Sequence, residues 1–276
     1  MIKLGLIGYP VSHSLSPKIQ NAALKASGLE GEYSLYPIAP DDMPALKALL
    51  ERVRSGEMTG FNVTIPHKQN VIPFMDELTP TAQAIGAVNV IYMRGNKLIG
   101  DNTDAFGFLK DLHRFISQNQ FEIVDQKSAI VLGTGGSARS VVYALLHDGW
   151  HVTIAARRFE QAQQLASQFE GAIPTELNAQ TFQPANFQLI VNTTPLGMTP
   201  NVDQSPLPEN IALLKNTKIY DLVYNPRETK LVRDARAQGL SATTGLGMLI
   251  EQAALGFELW TGHKPPKDVL YTSVVE

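Results

Sequence analysis

The first apolar run, Met1-Ile-Lys-Leu-Gly-Leu-Ile-Gly8, ends in Gly-Tyr-Pro10. It is too short for a secretory core and lacks a small-residue cleavage site, so residues 2–7 are expected to form an opening strand. Ser16-Pro17 sets an N-cap residue before a proline at the first helical position, predicting a helix through residues 25–27. Residues 33–38 follow as a second strand, 43–54 as a helix closed near Gly56, and 60–65 as a third strand. A turn and a helix starting near Pro66 come next. Residues 87–92 and 97–100 predict a hairpin around Arg94-Gly-Asn96, and Asp104 then caps a helix reaching about Ser117. Alternation of this kind implies a small α/β domain with a mostly parallel sheet.

Residues 118–127 are polar and irregular and are taken as a join. From Ser128 the pattern becomes strand, Gly-rich turn, helix, strand (129–132, 133–137, 138–147, 152–155), with a further helix over 159–169. Leu189-Ile-Val191 and Ile219-Tyr-Asp-Leu222 are buried-type strands, 229–238 is a helix, and a last helix runs near 248–261 after Thr243-Thr-Gly-Leu-Gly247. The expected organisation is therefore a first domain over 1–117, a Rossmann-type domain over 118–242, and a helical segment over 243–276 that returns to the first domain. The substrate-handling groups come from the first domain and the dinucleotide loop from the second, so the active site is expected in the cleft between them.

Composition narrows the function classes. A chain of 276 residues with 44% hydrophobic and 18% charged residues is ordinary for a globular protein of two domains. A formal charge of −3 gives no electrostatic footprint for nucleic acid or an acidic membrane. No apolar stretch approaches the roughly 20 residues that span a bilayer. The absence of Cys excludes disulfides, thiolate catalysis and Cys-ligated metals, and it fits a reducing cytoplasm. No His spacing suggests a metal site, and His13 and His67 are read as structural.

Gly133-x-Gly135-x-x-Ala138 fits the Rossmann pattern in its Gly/Ala form, placed between a strand and a helix. The first Gly permits a tight turn, the second lets backbone approach a pyrophosphate, and the small third residue packs helix on strand. Gly136, Ser137 and Arg139 complete the loop, where backbone N–H groups and the helix dipole favour phosphate. At the end of the second strand an NAD enzyme would place Asp or Glu; this chain has Ala155-Ala156-Arg157-Arg158. Two guanidinium groups suit a 2′-phosphate and point to NADP, with Arg139 as a third positive charge. The alternative is that Arg157 and Arg158 are solvated charges opening a helix.

Lys68 and Asp104 are the candidates for proton transfer. A helix starting near Pro66 would put Lys68 in its first turn, at the positive end of the dipole. If the third strand and the hairpin share a sheet, the two side chains meet at its carboxyl edge. Lys68 would then donate a proton to a carbonyl oxygen as hydride arrives, and Asp104 would orient the amine and share the hydroxyl. Taken singly, each also fits a surface Lys and an Asp that only caps a helix. Ser14 and Ser16 suit a carboxylate, although Ser16 also fits a simple cap. Asn62, Thr64 and Asn89 supply groups for several sugar-like hydroxyls, although the two Asn residues equally fit turns.

Taken together, Ser14-Leu-Ser16, Asn62-Val-Thr-Ile-Pro-His-Lys68, Ala87-Val-Asn89, Asp101-Asn-Thr-Asp104 and Gly133-Thr-Gly-Gly-Ser-Ala-Arg139 resemble the shikimate dehydrogenase family in order and spacing. So do Asn192-Thr-Thr-Pro-Leu-Gly197, Asp221-Leu-Val-Tyr-Asn-Pro226 and Gly245-x-Gly-Met-Leu-x-x-Gln252, so that the match covers essentially the whole chain. The resemblance implies NADPH-dependent reduction of 3-dehydroshikimate to shikimate on the route through chorismate to aromatic amino acids, by a cytoplasmic monomer or homodimer. It implies Lys68 and Asp104 as the catalytic pair. Ser14, Ser16, Asn62, Thr64, Asn89, Tyr224 and Gln252 are implied around substrate, and Asn192, Thr193, Gly245 and Met248 around the ribose and nicotinamide. Tyr224 and Gln252 rest mainly on this resemblance. The family's Asn-Arg-Thr after the second Rossmann strand is here Ala156-Arg157-Arg158, which keeps the phosphate-binding Arg and changes both neighbours. Competing readings are a quinate/shikimate dehydrogenase with relaxed substrate or cofactor choice, and a catalytically idle NADP-binding regulatory protein, which would be expected to lose the Lys or Asp. A folate-linked dehydrogenase would need a pterin pocket that Ser-x-Ser and Asp-Asn-Thr-Asp do not suggest.

Overall fold

A computed structural model describes residues 1–119, 127–178, 187–208, 211 and 213–275. Most of the 118–127 join therefore lies outside the described residues. The chain forms two compact units, Met1–Gly107 with Ile250–Glu276, and Phe108–Leu249. The division falls inside two helices, whereas the sequence suggests joins at 117/118 and 242/243.

The first unit contains a six-stranded sheet in the order β2-β1-β3-β5-β6-β4. Its strands are β1 (Ile2–Gly8), β2 (Gly31–Pro37), β3 (Gly60–Val63), β4 (Glu77–Leu78), β5 (Val90–Arg94) and β6 (Lys97–Asp101). β1 pairs in parallel with β2 and β3, while β5 runs antiparallel to both β3 and β6. The sheet is mixed because the expected hairpin, turning at Gly95 with φ 59°, inserts β5 in reverse. Helices α1 (Ser16–Ala26), α2 (Met43–Arg54), α3 (Pro80–Ile85) and the start of α4 (Asp104–Gln118) connect the strands.

Two sequence expectations are tested at helix starts, and one of them changes. Ser16 is the first residue of α1, not its cap, and its N–H is 3.2 Å from Ser14 Oγ. By contrast α2 starts as expected: Asp42 accepts the Ala45 N–H, and Leu46, Leu49, Leu50 and Val53 form its buried stripe. That stripe packs on Phe61, Val63, Val88 and Ile91. On the opposite face, Leu4, Leu6 and Tyr33 pack with Trp260 of α8 (Leu246–Thr261). A β-carbon at Gly60 would lie 2.3 Å from Trp260 Nε1, so the C-terminal part of α8 lies directly on this sheet. A final helix, α9 (Lys267–Val275), packs beside α1.

The second unit has a fully parallel sheet, β12-β11-β10-β7-β8-β9. Its strands are β7 (Ser128–Leu132), β8 (His151–Ala156), β9 (Ile173–Glu176), β10 (Leu189–Asn192), β11 (Lys218–Asp221) and β12 (Ala242–Thr244). β7, α5 (Gly136–His147) and β8 form the predicted βαβ unit, and α6 (Phe159–Ala166) and α7 (Lys230–Ala237) follow β8 and β11. Central strands such as β7 and β10 are almost wholly apolar, as a sheet covered on both faces requires. The order outward from β7 reverses at β7/β10, the switch point where such sheets bind ligands at their carboxyl ends.

Candidate active site

Lys68 stands in a turn, not in the first turn of a helix. Residues 65–71 form successive turns, and only Ile72–Phe74 closes as a short 3-10 segment. The Lys68 carbonyl accepts the Val88 N–H at 2.8 Å, and Pro73 has no N–H to return to the Gln69 carbonyl. The expected helix-dipole effect on Lys68 is therefore absent, and side chains set its surroundings. His67, fully buried, places its Nε2 2.8 Å from the Ile38 carbonyl and so anchors this turn, as its structural reading expects.

Asp104 opens α4, but the capping is performed by Asn102. Asn102 Oδ1 accepts the N–H groups of Asp104 (3.1 Å) and Ala105 (3.4 Å), and its amide donates to the Ala87 carbonyl at 2.9 Å. Both carboxylate oxygens of Asp104 are thus left for other partners. Oδ2 accepts from Lys68 Nζ at 2.6 Å, and Oδ1 from Asn89 Nδ2 at 2.8 Å. The side chains of Lys68 and Asp104 are only 9% and 7% exposed. Removing either partner of an ion pair so far from water would strand a buried charge.

Asn89, immediately before β5, organises the rest. Its Oδ1 accepts the Thr103 N–H (2.8 Å), and its Nδ2 also lies near Thr103 Oγ1 (3.0 Å) and Gln252 Oε1 (3.3 Å). Its backbone carbonyl accepts from Asn62 Nδ2 at 3.1 Å. Asn62, Asn89, Thr103, Asp104, Lys68 and Gln252 therefore form one connected polar cluster, and all six are buried. Gln252 reaches it because α4 and α8 approach closely: a β-carbon at Gly107 would lie 2.8 Å from the Gln252 backbone nitrogen. Thr64 is half-buried beside β1, where a β-carbon at Gly8 would meet its methyl at 2.3 Å. Ser14 and Ser16 are linked to each other at the start of α1. Tyr224 lies in the second unit, half-buried in the loop after β11.

Sequence reasoning missed Asn102, Thr103 and Tyr33 as parts of this network, the last joined to it by donating from its hydroxyl to Asn62 Oδ1 at 2.8 Å. The first two belong to Asp101-Asn-Thr-Asp104, where an Asn two residues ahead of a helix start is a legible cap signal. Tyr33 is an ordinary strand aromatic with no local signal.

In the second unit the dinucleotide loop runs from β7 to α5. Gly133 has φ 110°, and a β-carbon there would lie 2.7 Å from Thr193 Oγ1. Gly135 differs: it caps α5 at φ −77°, and a β-carbon there would meet nothing within 4 Å. Neither backbone strain nor internal packing requires glycine at 135, so the open space over it fits the close approach of an external pyrophosphate. The residue before α5 is Gly135, which makes no side-chain cap hydrogen bond to the helix start. Ala138 is fully buried, as its helix–strand packing role expects.

Arg157 and Arg158 are exposed at the end of β8, with no ion pair among the described residues. Arg139 is half-buried and donates to Gln168 Oε1 at 2.6 Å; burial holds its pKa below the usual guanidinium value. Asn192 is fully buried and its amide is engaged inside the unit. It donates to Asp221 Oδ1 (2.8 Å) and accepts from Thr194 N (2.9 Å) and Oγ1 (2.7 Å). Thr193 Oγ1 donates to the Leu132 carbonyl at 2.7 Å. Asp221 also accepts from Thr229 Oγ1 (2.6 Å) and the Val223 N–H (3.0 Å). Burial pushes its carboxyl up to about 6, against the pull of those three donors. A β-carbon at Gly245 would lie 2.3 Å from the Leu222 carbonyl, and Met248 is buried in the first turn of α8. Among the described residues there is no group of three or more His, Asp or Glu able to hold a metal ion, and no helix long and apolar enough to cross a membrane.

Residues 6–91 match the family model of the shikimate dehydrogenase substrate binding domain, and residues 116–196 that of shikimate / quinate 5-dehydrogenase. Residues 245–274 match the shikimate 5′-dehydrogenase C-terminal domain. The shikimate dehydrogenase (NADP(+)) of Carboxydothermus hydrogenoformans is 39% identical over 274 residues, covering 98% of this chain and 95% of the relative. The chain belongs to the shikimate dehydrogenase family. A second family member, from Salinibacter ruber, is 40% identical over 278 residues, covering 98% of this chain and 95% of its own. Among solved structures, shikimate 5-dehydrogenase from Thermus thermophilus in complex with NADP(H) and shikimate superposes with a TM-score of 0.86 at 35% identity. That match covers 99% of this chain and 98% of the other. Quinate dehydrogenase from Corynebacterium glutamicum in complex with NAD gives a TM-score of 0.87 at 29% identity, covering 99% and 98%.

Proposed function

We propose that this chain is an NADP-dependent shikimate dehydrogenase, reversibly reducing 3-dehydroshikimate to shikimate for aromatic amino acid synthesis in the cytoplasm, as a monomer or homodimer. The observation that carries the catalytic assignment is the buried contact of Lys68 Nζ with Asp104 Oδ2 at 2.6 Å, set in a cluster of amides. NADPH, when bound, supplies the hydride that reaches the carbonyl carbon. Lys68 donates a proton from Nζ to the carbonyl oxygen, so that C=O becomes CH–OH, and takes it back in the reverse direction. Asp104 keeps the ammonium aimed through Oδ2 and shares the substrate hydroxyl. Asn89 holds Asp104 in turn, through Oδ1.

Ser14, Ser16, Asn62, Thr64, Asn89, Gln252 and Tyr224 bind the carboxylate and ring hydroxyls. Gly133, Gly135, Gly136, Ser137, Ala138 and Arg139 form the pyrophosphate loop, with Arg157 and Arg158 on the 2′-phosphate. Asn192 acts by fixing the β10 loop, so that Thr193, with Gly245 and Met248, lines the ribose and nicotinamide region. The first unit is thereby the substrate domain and the second the NADP domain.

The second reading, dehydrogenation of quinate as well, draws on the likeness to quinate dehydrogenase. Arg157 and Arg158, with no acidic residue at the end of β8, oppose NAD use in either case. Absorbance of reduced nicotinamide, with shikimate or quinate against NADP or NAD, tests both. Reduction of NADP with shikimate alone is expected. Comparable rates with quinate would favour the second reading, and silence of folded protein in all four assays would overturn both.

A further inference from the structure

Asn62 Oδ1 accepts a hydrogen bond from the Tyr33 hydroxyl at 2.8 Å, and both residues are buried, Tyr33 at 3% exposure and Asn62 at 6%. They lie two strands apart, on β2 and β3. Tyr33 is level with Leu4 of β1 and Asn62 with Leu6, so both side chains rise from the same face of the sheet. The phenol reaches Asn62 diagonally over β1. Its strand position is fixed by Asn21 of α1, which accepts the Tyr33 N–H at 2.9 Å and donates to its carbonyl at 3.2 Å. Its ring leans on Trp260, with centroids 6.5 Å apart, and Trp260 is itself held by donation to the Ile91 carbonyl at 3.0 Å.

An asparagine amide can be turned over at little cost unless its neighbours distinguish oxygen from nitrogen. Asn62 has one partner on each atom: the Tyr33 O–H on Oδ1, and the Asn89 carbonyl on Nδ2. The carbonyl can only accept, so it requires Nδ2 and leaves Oδ1 toward Tyr33; the phenol, which could also accept, donates to that oxygen and holds the amide in this orientation. We propose that Tyr33 is a positioning residue for substrate recognition. Its hydroxyl, together with the Asn89 carbonyl, fixes the Asn62 amide so that the second Nδ2 hydrogen, and not the carbonyl oxygen, is presented to a substrate hydroxyl. A ring hydroxyl facing Asn62 is then met as an acceptor, and one facing the Asp104 carboxylate as a donor. This inference rests on the proposed function, which supplies the polyhydroxylated substrate.

The full-length protein with Tyr33→Phe tests it, since the ring and its packing are kept. Steady-state oxidation of shikimate by NADP is expected to show KM for shikimate raised about ten-fold, the scale of one buried hydrogen bond. KM for NADP and kcat should stay within about two-fold. In an Asn62→Ala background the same substitution should add almost nothing to KM, because the residue through which it acts is gone. Asn62→Asp keeps an acceptor for the phenol but removes the N–H, so it should impair shikimate binding at least as much as Asn62→Ala, whether Tyr or Phe stands at 33. An unchanged KM for Tyr33→Phe, an additive effect in the Asn62→Ala background, or near-normal binding by Asn62→Asp would each overturn the proposal while leaving the function intact. Folded wild-type protein that neither binds nor oxidises shikimate would overturn the function and this proposal together.

Discussion

At the residue scale the Lys68–Asp104 pair is buried, and the proposed function gives it a part in the chemistry. The two readings that competed with it in the sequence, a surface lysine and a capping aspartate, both fail on geometry. Lys68 is buried, and Asn102 does the capping. Lys68→Met keeps the aliphatic stem and removes the proton donor. Its kcat for shikimate oxidation is expected to fall by about 10²–10⁴ while shikimate still binds in a calorimeter; near-normal turnover would remove Lys68 from the mechanism. Asp221 gives a second residue-scale prediction, this time on stability. Its carboxyl is raised from 3.8 to about 6 in the fold, so the folded chain holds that proton more tightly than the unfolded chain does. The stabilisation it confers is complete below pH 3.8 and is lost as pH rises through about 6. Across that window the loss is about 3 kcal/mol at about 1.4 kcal/mol per pKa unit. Urea unfolding of wild type and Asp221→Asn between pH 4 and 7 should show wild-type stability falling relative to the variant by that order. Parallel pH profiles would mean the site is better solvated than its burial suggests.

At the element scale, periodicity was a good guide where one face of an element is buried. The stripe of α2, the β5–β6 hairpin and the β7–α5–β8 unit all follow from spacing and turn chemistry. It failed after Pro66, where apolar residues at helical spacing are held as turns because Val88 takes the Lys68 carbonyl. It also passed over α3 and β4, whose short lengths leave too few residues for a period to register, and α9, whose apolar residues do not gather on one face. The Gly135 position yields a prediction that separates fold from function. Beyond its chain neighbours, Gly135→Val meets no protein atom within 4 Å of its β-carbon and sits at ordinary φ, so the melting temperature is expected to stay within about 2 °C. KM for NADP should nevertheless rise by an order of magnitude or more, as the side chain fills the space assigned to the pyrophosphate. A large loss of stability with unchanged KM would show the glycine to be structural.

At the scale of the whole molecule, the chain is assembled out of sequence order. Its last segment, Ile250–Glu276, belongs to the unit formed by Met1–Gly107, which brings Gln252 to Asn89 across 163 positions of chain. Each unit has its own sheet and core, and the proposed function divides the polar groups between them, substrate hydroxyl partners in the first and phosphate partners in the second. Cofactor choice is testable at this scale, because the exposed Arg157 and Arg158 are proposed to bear on NADP and not on shikimate. Replacing both with Ala should raise KM for NADP at least ten-fold, about 1.4 kcal/mol, and leave KM for shikimate within about two-fold. Equal effects on both would mark the pair as structural.

The sequence by itself determined the class of fold, the dinucleotide loop and the identity of the groups available for chemistry. Those depend on local spacing: closely spaced Gly residues, a strand before and a helix after, and arginines where an acid would select NAD. Only the tertiary structure decided what each polar group does. Hydrogen-bond partners are chosen by neighbours brought from distant chain segments, and an amide or carboxylate carries no local mark of which partner will take it. So Asp104 was released from capping by Asn102, Asn192 was drawn inward by Asp221, and Tyr33 came to donate to Asn62.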